Sequence, residues 1–368
     1  MPEIILQNVS KSLNGKPILQ DIDLEIPNRS LYCILGPPKS GKSMLVRLIA
    51  GLEVPDRGKI LFDGKDVTEL SPVERKVAVV FQDFALYPHL TAFENIASPL
   101  TISGLTKDEI IKRVEKVAKY LKISHRLNHY PSELSGGELQ RVAIARALVK
   151  EAMVLLLDEP FVRLDYKVRE DMRAELYRLQ KDIGINVILI TSDPLDAMSL
   201  GDKIAIINEG KILQVGDRTE IYEKPADVFV ARYFGVIEMN FLPGSVYKRG
   251  DEVLLKTKIF ELRLQNVKKL LETGEVLIGL RPEHLSITEF GKFGGISLKG
   301  KLILSEVIGS DTILHLDVGL SEPLKVLVPE IYRKHEGTEI EVEFNPEALY
   351  FFSLKDNKLI ARGGDIIG

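Results

Sequence analysis

The alternation of apolar and polar positions changes period several times along the chain, and each change predicts an element. Residues 4–9 and 18–26 alternate as half-buried antiparallel strands do, and predict a side sheet. Lys59-Ile60-Leu61-Phe62 runs into Asp63-Gly64, a tight-turn dipeptide, so residues 58–67 read as a hairpin. Three further runs, 77–81, 153–157 and 187–190, are apolar without alternation and are separated by stretches of helical spacing. Such strands are buried on both faces, which predicts a mostly parallel sheet covered by helices. Residues 107–122 set Ile110, Ile111, Val114, Val117, Ala118 and Leu121 at helical spacing among charges, the pattern of a solvated amphipathic helix. After residues 233–237 the helical period stops. Short runs bounded by Gly, Pro and Asp follow at 244–248, 252–256, 276–280, 301–307, 312–318 and 339–344, and predict a small β-barrel or sandwich. The fold expected is an α/β domain over 1–236 followed by an all-β domain over 237–368.

A chain of 368 residues exceeds what one hydrophobic core usually serves, in keeping with two domains. The net charge of −4 gives no broad cationic face, so no nucleic acid is expected as a partner. Cys33, the single cysteine, sits in an apolar run and reads as a buried structural thiol of a reducing, cytosolic compartment. The N-terminus reads MPEIILQNVSK, with no leader pattern, and no apolar run approaches membrane-spanning length. Work at a membrane would require another chain to cross it. The six histidines show no metal-ligand spacing with cysteines.

Chemistry concentrates first in LYCILGPPKSGKSMLVRLIAG, residues 31–51, an apolar run, a Gly/Pro-rich turn and a helical stretch. Its centre is Gly36-x-x-x-x-Gly41-Lys42-Ser43, the phosphate-binding loop pattern in its required context of strand and helix. Glycines stand where side chains would block close approach to a phosphate. Gly36, Pro37, Pro38, Lys39, Ser40 and Gly41 are the expected cradle. Lys42 is expected to reach the β- and γ-phosphates, and Ser43 to offer its hydroxyl to Mg²⁺, at the positive end of a helix opening at Lys42. A nucleoside triphosphate is the expected ligand. The second site is Met153-Val154-Leu155-Leu156-Leu157-Asp158-Glu159-Pro160, a buried strand carrying two carboxylates at its carboxyl end. Two acids ending a strand mean little alone. Following a phosphate loop, Asp158 is placed to hold Mg²⁺ through water and Glu159 to orient or deprotonate the attacking water.

Between these sites lies Leu134-Ser135-Gly136-Gly137-Glu138-Leu139-Gln140-Arg141, before a helical run at 142–149. A Ser-Gly-Gly turn opening a helix is another cradle of amides, with Ser135 as an extra donor, although most such turns serve only as caps. This stretch resembles the signature motif of ATP-binding cassette (ABC) ATPases, and the order of the other elements is similar to that family, notably its maltose-type sugar importer ATPases. The resemblance implies a helical subdomain at about 85–150. It puts Gln82 at the family's Q-loop glutamine, which contacts Mg²⁺ and the attacking water, Asp165 at the D-loop aspartate, and Ser135, Gly136, Gly137 and Glu138 against nucleotide. It implies that FQDFALYPHLTAFENI, residues 81–96, leads to a surface docking the permease. MNFLPG at Met239, GLRPEHL at Gly279 and IGSDTILHLDV at Ile308 resemble the OB-like regulatory domain of sugar-importer ATPases.

The sequence also departs from that pattern. Lys39 stands where the family usually has Gly, in a loop that can demand a backbone conformation costly for a residue with a Cβ. Leu13 stands where an aromatic ring often stacks on adenine. Val162 and Arg163 replace the usual Ser and Asn of the D-loop. After the run at 187–190, Thr191-Ser192-Asp193 replaces Thr-His-Asp, so Ser192 takes the place of the imidazole that would contact the γ-phosphate. Losing such a transition-state contact costs about 10²- to 10³-fold in rate, so slow hydrolysis is expected at this chain's own site. The resemblance thus implies a transport-coupled ATPase on the cytoplasmic face of the membrane. Its expected partners are a permease, a second ABC ATPase subunit in a homo- or heterodimer and, indirectly, an extracytoplasmic solute-binding protein, with a sugar, glycerol phosphate or related polyol as cargo. Two other functions fit the same residues: a poorly hydrolysing, nucleotide-sensing subunit of a heteromeric pair, or a non-transport ABC ATPase.

Overall fold

The computed structural model describes residues 1–101, 104–265, 274–290 and 295–367. The chain divides into two compact units, Met1–Thr219 and Glu220–Gly368.

In the first unit, β1 (Ile4–Leu13) pairs antiparallel with β2 (Lys16–Ile26) and with the strand following the phosphate-loop helix, β4 (Arg57–Phe62). With β5 (Lys65–Asp66), joined to β4 through a Gly64 at φ 74°, these form a side sheet in the order β2-β1-β4-β5. The main sheet has the order β10-β9-β3-β8-β7-β6, where β3 is Leu31–Leu35, β6 Val77–Val80, β7 Val154–Asp158, β8 Asn186–Thr191, β9 Lys203–Asn208 and β10 Lys211–Gly216. Every pairing is parallel except β9 with β10, at one edge. All residues of β3 and β8 are buried, as continuous apolar runs covered on both faces require. The side and main sheets share a core that includes Leu6, Ile22, Tyr32, Leu45, Leu156 and Ile188.

The helices are α1 (Lys42–Ala50), α2 (Ala92–Thr101), α3 (Lys107–Tyr120), α4 (Gly136–Leu148), α5 (Tyr166–Ile183) and α6 (Pro194–Leu200). Local chemistry sets their starts: Thr106 with Glu109, and Ser135 with Glu138, form reciprocal capping boxes, and Asp165 accepts from Val168 N. In α3 the buried face is narrow, Val114 and Ala118, while Ile111 remains exposed. Because β3, β7 and β8 run parallel and adjacent, their carboxyl ends bring residues 36, 158 and 192 to one edge, where open α/β sheets bind ligands.

The second unit begins with short helical turns, including Val228–Tyr233, and its described strands form two antiparallel sheets. One contains β11 (Asn240–Arg249) and β12 (Glu275–Leu280) beside Tyr350–Ser353; the other is built around the 13-residue strand Ile296–Ile308, between Asp311–Asp317 and Glu339–Phe344. Leu242, Leu255, Ile278, Leu314, Val326 and Val342 belong to one core between them. Arg281 is wholly buried: it lies 3.6 Å from the Tyr222 ring centre and donates to the carbonyls of Tyr222 (2.8 Å) and Phe234 (3.2 Å). Those contacts tie Tyr222 and Phe234 to the β-sheets of the second unit.

Candidate functional site

The loop from Gly36 to Ser43 leaves β3 and closes into α1 with backbone torsions that its residues only partly favour. Gly36 cannot carry a Cβ, which would lie 2.2 Å from the carbonyl oxygen of Ile207, and Gly41 at φ 105° forms the N-cap of α1. Lys39 adopts φ 67°, the left-handed conformation expected to be costly there. Pro37 and Pro38 have no N–H and so shape the loop without donating to a phosphate. Ser40 is buried, its hydroxyl without a partner among the described residues. An anion at the loop would supply one.

Lys42 folds back into this cradle. Its ammonium donates to the carbonyls of Gly36 (2.6 Å) and Pro37 (2.9 Å) and stands 3.6 Å from Glu159 Oε1. Burial lowers the Lys42 pKa, with the Glu159 carboxylate acting against that shift. The Ser43 hydroxyl donates to Asp158 Oδ1 at 3.3 Å. Burial raises the Asp158 pKa, against the pull of the Ser43 bond and the Lys42 charge. A hydroxyl and a carboxylate converging at a helix N-terminus are oxygen donors of the type Mg²⁺ takes beside phosphates, so the residues present fit that ion.

Glu159 follows β7 in a left-handed conformation, φ 49°. Its Oε2 accepts from the backbone N–H and from the hydroxyl of Ser192, both at 3.1 Å, so Ser192 holds the carboxylate. Thus Lys42, Ser43, Asp158, Glu159 and Ser192 form one contiguous group. Gln82 follows β6 as an exposed residue, and Leu13 ends β1 with 51% of its surface exposed. The Ser135–Glu138 turn lies elsewhere in the unit. Its Ser135 hydroxyl, expected to serve an anion, donates to Glu138 Oε2 at 3.0 Å, and Arg126 donates to Glu138 Oε1 at 2.6 Å. Burial opposes ionisation of Glu138, but the Ser135 and Arg126 bonds prevail and hold its pKa below the usual value.

One group escaped the sequence reading. Arg169 Nη2 contacts Asp193 Oδ2 (2.9 Å) and Asp196 Oδ2 (3.0 Å), while Arg173 Nε donates to Asp196 Oδ1 (2.7 Å). Asp196, buried at 1% exposure, also accepts from the Thr191 hydroxyl at 2.8 Å. The available signal was a pair of arginines spaced i, i+4 facing acids spaced i, i+3, a match visible only once α5 and α6 are placed together.

Comparison with known proteins agrees with these features. Residues 19–162 match the ABC transporter family, residues 238–285 the MalK OB fold domain and residues 278–352 the TOBE domain. The chain is 37% identical to the trehalose/maltose import ATP-binding protein MalK of Thermococcus litoralis, over 98% of this chain and all of that one. It is 36% identical to the sn-glycerol-3-phosphate import ATP-binding protein UgpC of Chromobacterium violaceum, covering 98% of this chain and 96% of the other. Among solved structures, cbiO1 of Clostridium perfringens, part of the ABC transporter complex cbiONQ, shares 29% identity at a TM-score of 0.56, over 60% of this chain and 90% of that one. Near-complete alignment with such relatives, with both C-terminal domain matches in place, shows that the chain belongs to the ABC transporter family, as an ATP-binding protein of the group carrying the MalK OB fold domain.

Proposed function

We propose that this chain binds and hydrolyses ATP to drive uptake of a sugar, glycerol phosphate or related polyol through a separate permease, from the cytoplasmic face of the membrane. The observation that carries this reading is the convergence of Lys42, Ser43, Asp158 and Glu159 at the carboxyl ends of β3 and β7. In it, Lys42 leaves the Gly36 and Pro37 carbonyls for the β- and γ-phosphates, and Gly36, Lys39, Ser40 and Gly41 line the phosphates alongside the two prolines. Ser43, Asp158 and Gln82 would hold Mg²⁺, which when bound neutralises phosphate charge. Glu159 accepts a proton from water as that oxygen bonds to the γ-phosphorus and the bond to ADP breaks. Leu13 gives adenine an apolar contact, and Ser135, Gly136, Gly137 and Glu138 serve the nucleotide of a second ATPase subunit.

On this reading residues 1–236 form the nucleotide-binding domain, 85–150 its helical part and 237–368 the regulatory domain. A groove of about 550 Å³, lined by Phe81, Ala85, Tyr87, Pro99 and Arg146 among others, offers the permease a seat beside the Q-loop. Because Ser192 donates to Glu159, it is not a substitute for imidazole on the γ-phosphate, and the site turns over slowly. The same observation favours an asymmetric pair, in which this chain mainly holds ATP and completes the site of a different subunit. ATP turnover of the purified chain, with Glu159→Gln as control, tests the reading. Turnover that Glu159→Gln abolishes is expected; nucleotide binding without any turnover, alone or with a second ATPase subunit, would overturn it.

A further inference from the structure

We propose that Arg169 is a positioning residue that fixes the Thr191–Asp193 loop, and through it the Glu159 carboxylate, against the Ser135–Gly137 turn. This rests on the hydrolytic reading above and adds a mechanical link inside the chain. Four links in series carry it. The Ser-Gly-Gly turn sits directly on the first turn of α5: a Cβ on Gly137 would stand 2.7 Å from Val168 Cγ1, and one on Gly136 3.3 Å from Leu164 Cδ2. The residue after Val168 is Arg169, whose Nη2 binds Asp193 and Asp196 at 2.9 and 3.0 Å. Asp193 N donates to the Thr191 hydroxyl at 3.0 Å, and that hydroxyl donates to Asp196 at 2.8 Å. Both neighbours of Ser192 are thereby held, and Ser192 presents its N–H and hydroxyl to Glu159 at 3.1 Å.

The energetic reasoning is about placement. A carboxylate acting on water must be held closely, and a displacement of about 1 Å at the reacting group can cost about 10²-fold in rate. Asp196 is buried at 1% exposure and answered by two guanidinium groups, so this junction has a defined geometry. A shift of the Ser135–Gly137 turn therefore reaches Glu159 through α5 without any contact between the two sites.

The test uses the full-length chain, with turnover normalised to bound nucleotide. Arg169→Met and Asp193→Asn are compared singly and together. Asn keeps the shape of Asp193 and the acceptor that caps α6 at Leu195 N, so it carries the test if Arg169→Met does not fold. Each variant is expected to lower kcat by about 10-fold while ATP affinity stays unchanged, and Arg169→Lys should recover part of the loss. The double variant should lose no more than the worse single, since both lie on one path. Wild-type kcat in Asp193→Asn, or losses that multiply in the double variant, would overturn the proposal while leaving the hydrolytic reading intact. A wild-type chain without turnover overturns both.

Discussion

Glu159 Oε2 accepts two hydrogen bonds from a single residue, the backbone N–H and the hydroxyl of Ser192, each at 3.1 Å. The backbone bond is available to any residue at that position; only the hydroxyl bond depends on serine. Ser192→Ala should therefore leave Glu159 partly held, and a hydrogen bond to a charged group is worth about 1.5–3 kcal/mol, so kcat should fall by about 10- to 100-fold at most. Ser192→His should act in the opposite sense, because a ring can reach past Glu159 to the γ-phosphate and supply a contact worth about 10²-fold or more in rate. Steady-state ATP hydrolysis separates these: a histidine variant no faster than wild type would show that Ser192 does not limit the site.

Lys39 at φ 67° gives a test of the loop's backbone independent of catalysis. A left-handed L-residue costs about 1–2 kcal/mol, and glycine returns about 0.4–1 kcal/mol of that through the entropy of the unfolded chain. Lys39→Gly should gain at most about 1.6 kcal/mol, a rise of at most about 3–6 °C in Tm for a unit of this size. Lys39→Ala keeps the Cβ and should leave Tm near that of wild type. Equal melting temperatures for the glycine and alanine variants would show that the torsion is not strained.

Lys42 makes the strongest polar contacts in the cradle, at 2.6 and 2.9 Å to two loop carbonyls. Lys42→Met would remove the only ammonium those carbonyls bind among the described residues, together with the charge meant for the phosphates. A hydrogen bond to a charged group is worth about 1.5–3 kcal/mol, so ATP affinity should fall by about 10- to 100-fold by calorimetry. Undiminished affinity would place the phosphates elsewhere.

How much of this was legible in the sequence follows from range. The phosphate loop, the carboxylates ending β7 and the cost at Lys39 are local, since each depends on residues within a few positions of each other and on their flanking strand or helix. The side sheet and the continuous apolar strands were legible for the same reason. What escaped depends on distant partners. Nothing near Arg169 in the chain announces Asp193 and Asp196, and nothing near GLRPEHL announces that Arg281 is wholly buried against Tyr222. The aromatic stretch after Gln82 likewise divides: Phe84 is buried at 5% exposure while Tyr87 stays 47% exposed, a distinction periodicity cannot draw in a loop.

His284 in the second unit offers a pH test with a defined sign. Its Nδ1 is shielded and has no hydrogen-bond partner among the described residues, and burial, aided by Arg281 and Arg362, lowers its pKa below the ordinary 6.5. Between that lowered value and 6.5 the unfolded chain binds the proton and the folded chain does not. Stability in this window therefore rises with pH and is lost as pH falls from 6.5 through the folded pKa. Acidifying from about pH 7.5 to about 5.5 should lower the melting temperature of the second unit, and His284→Gln, which cannot titrate, should flatten that slope. The measurement is thermal unfolding followed at several pH values for both proteins. If the two slopes coincide, protonation of His284 is not coupled to folding, and burial against the two arginines leaves its imidazole free to ionise in place.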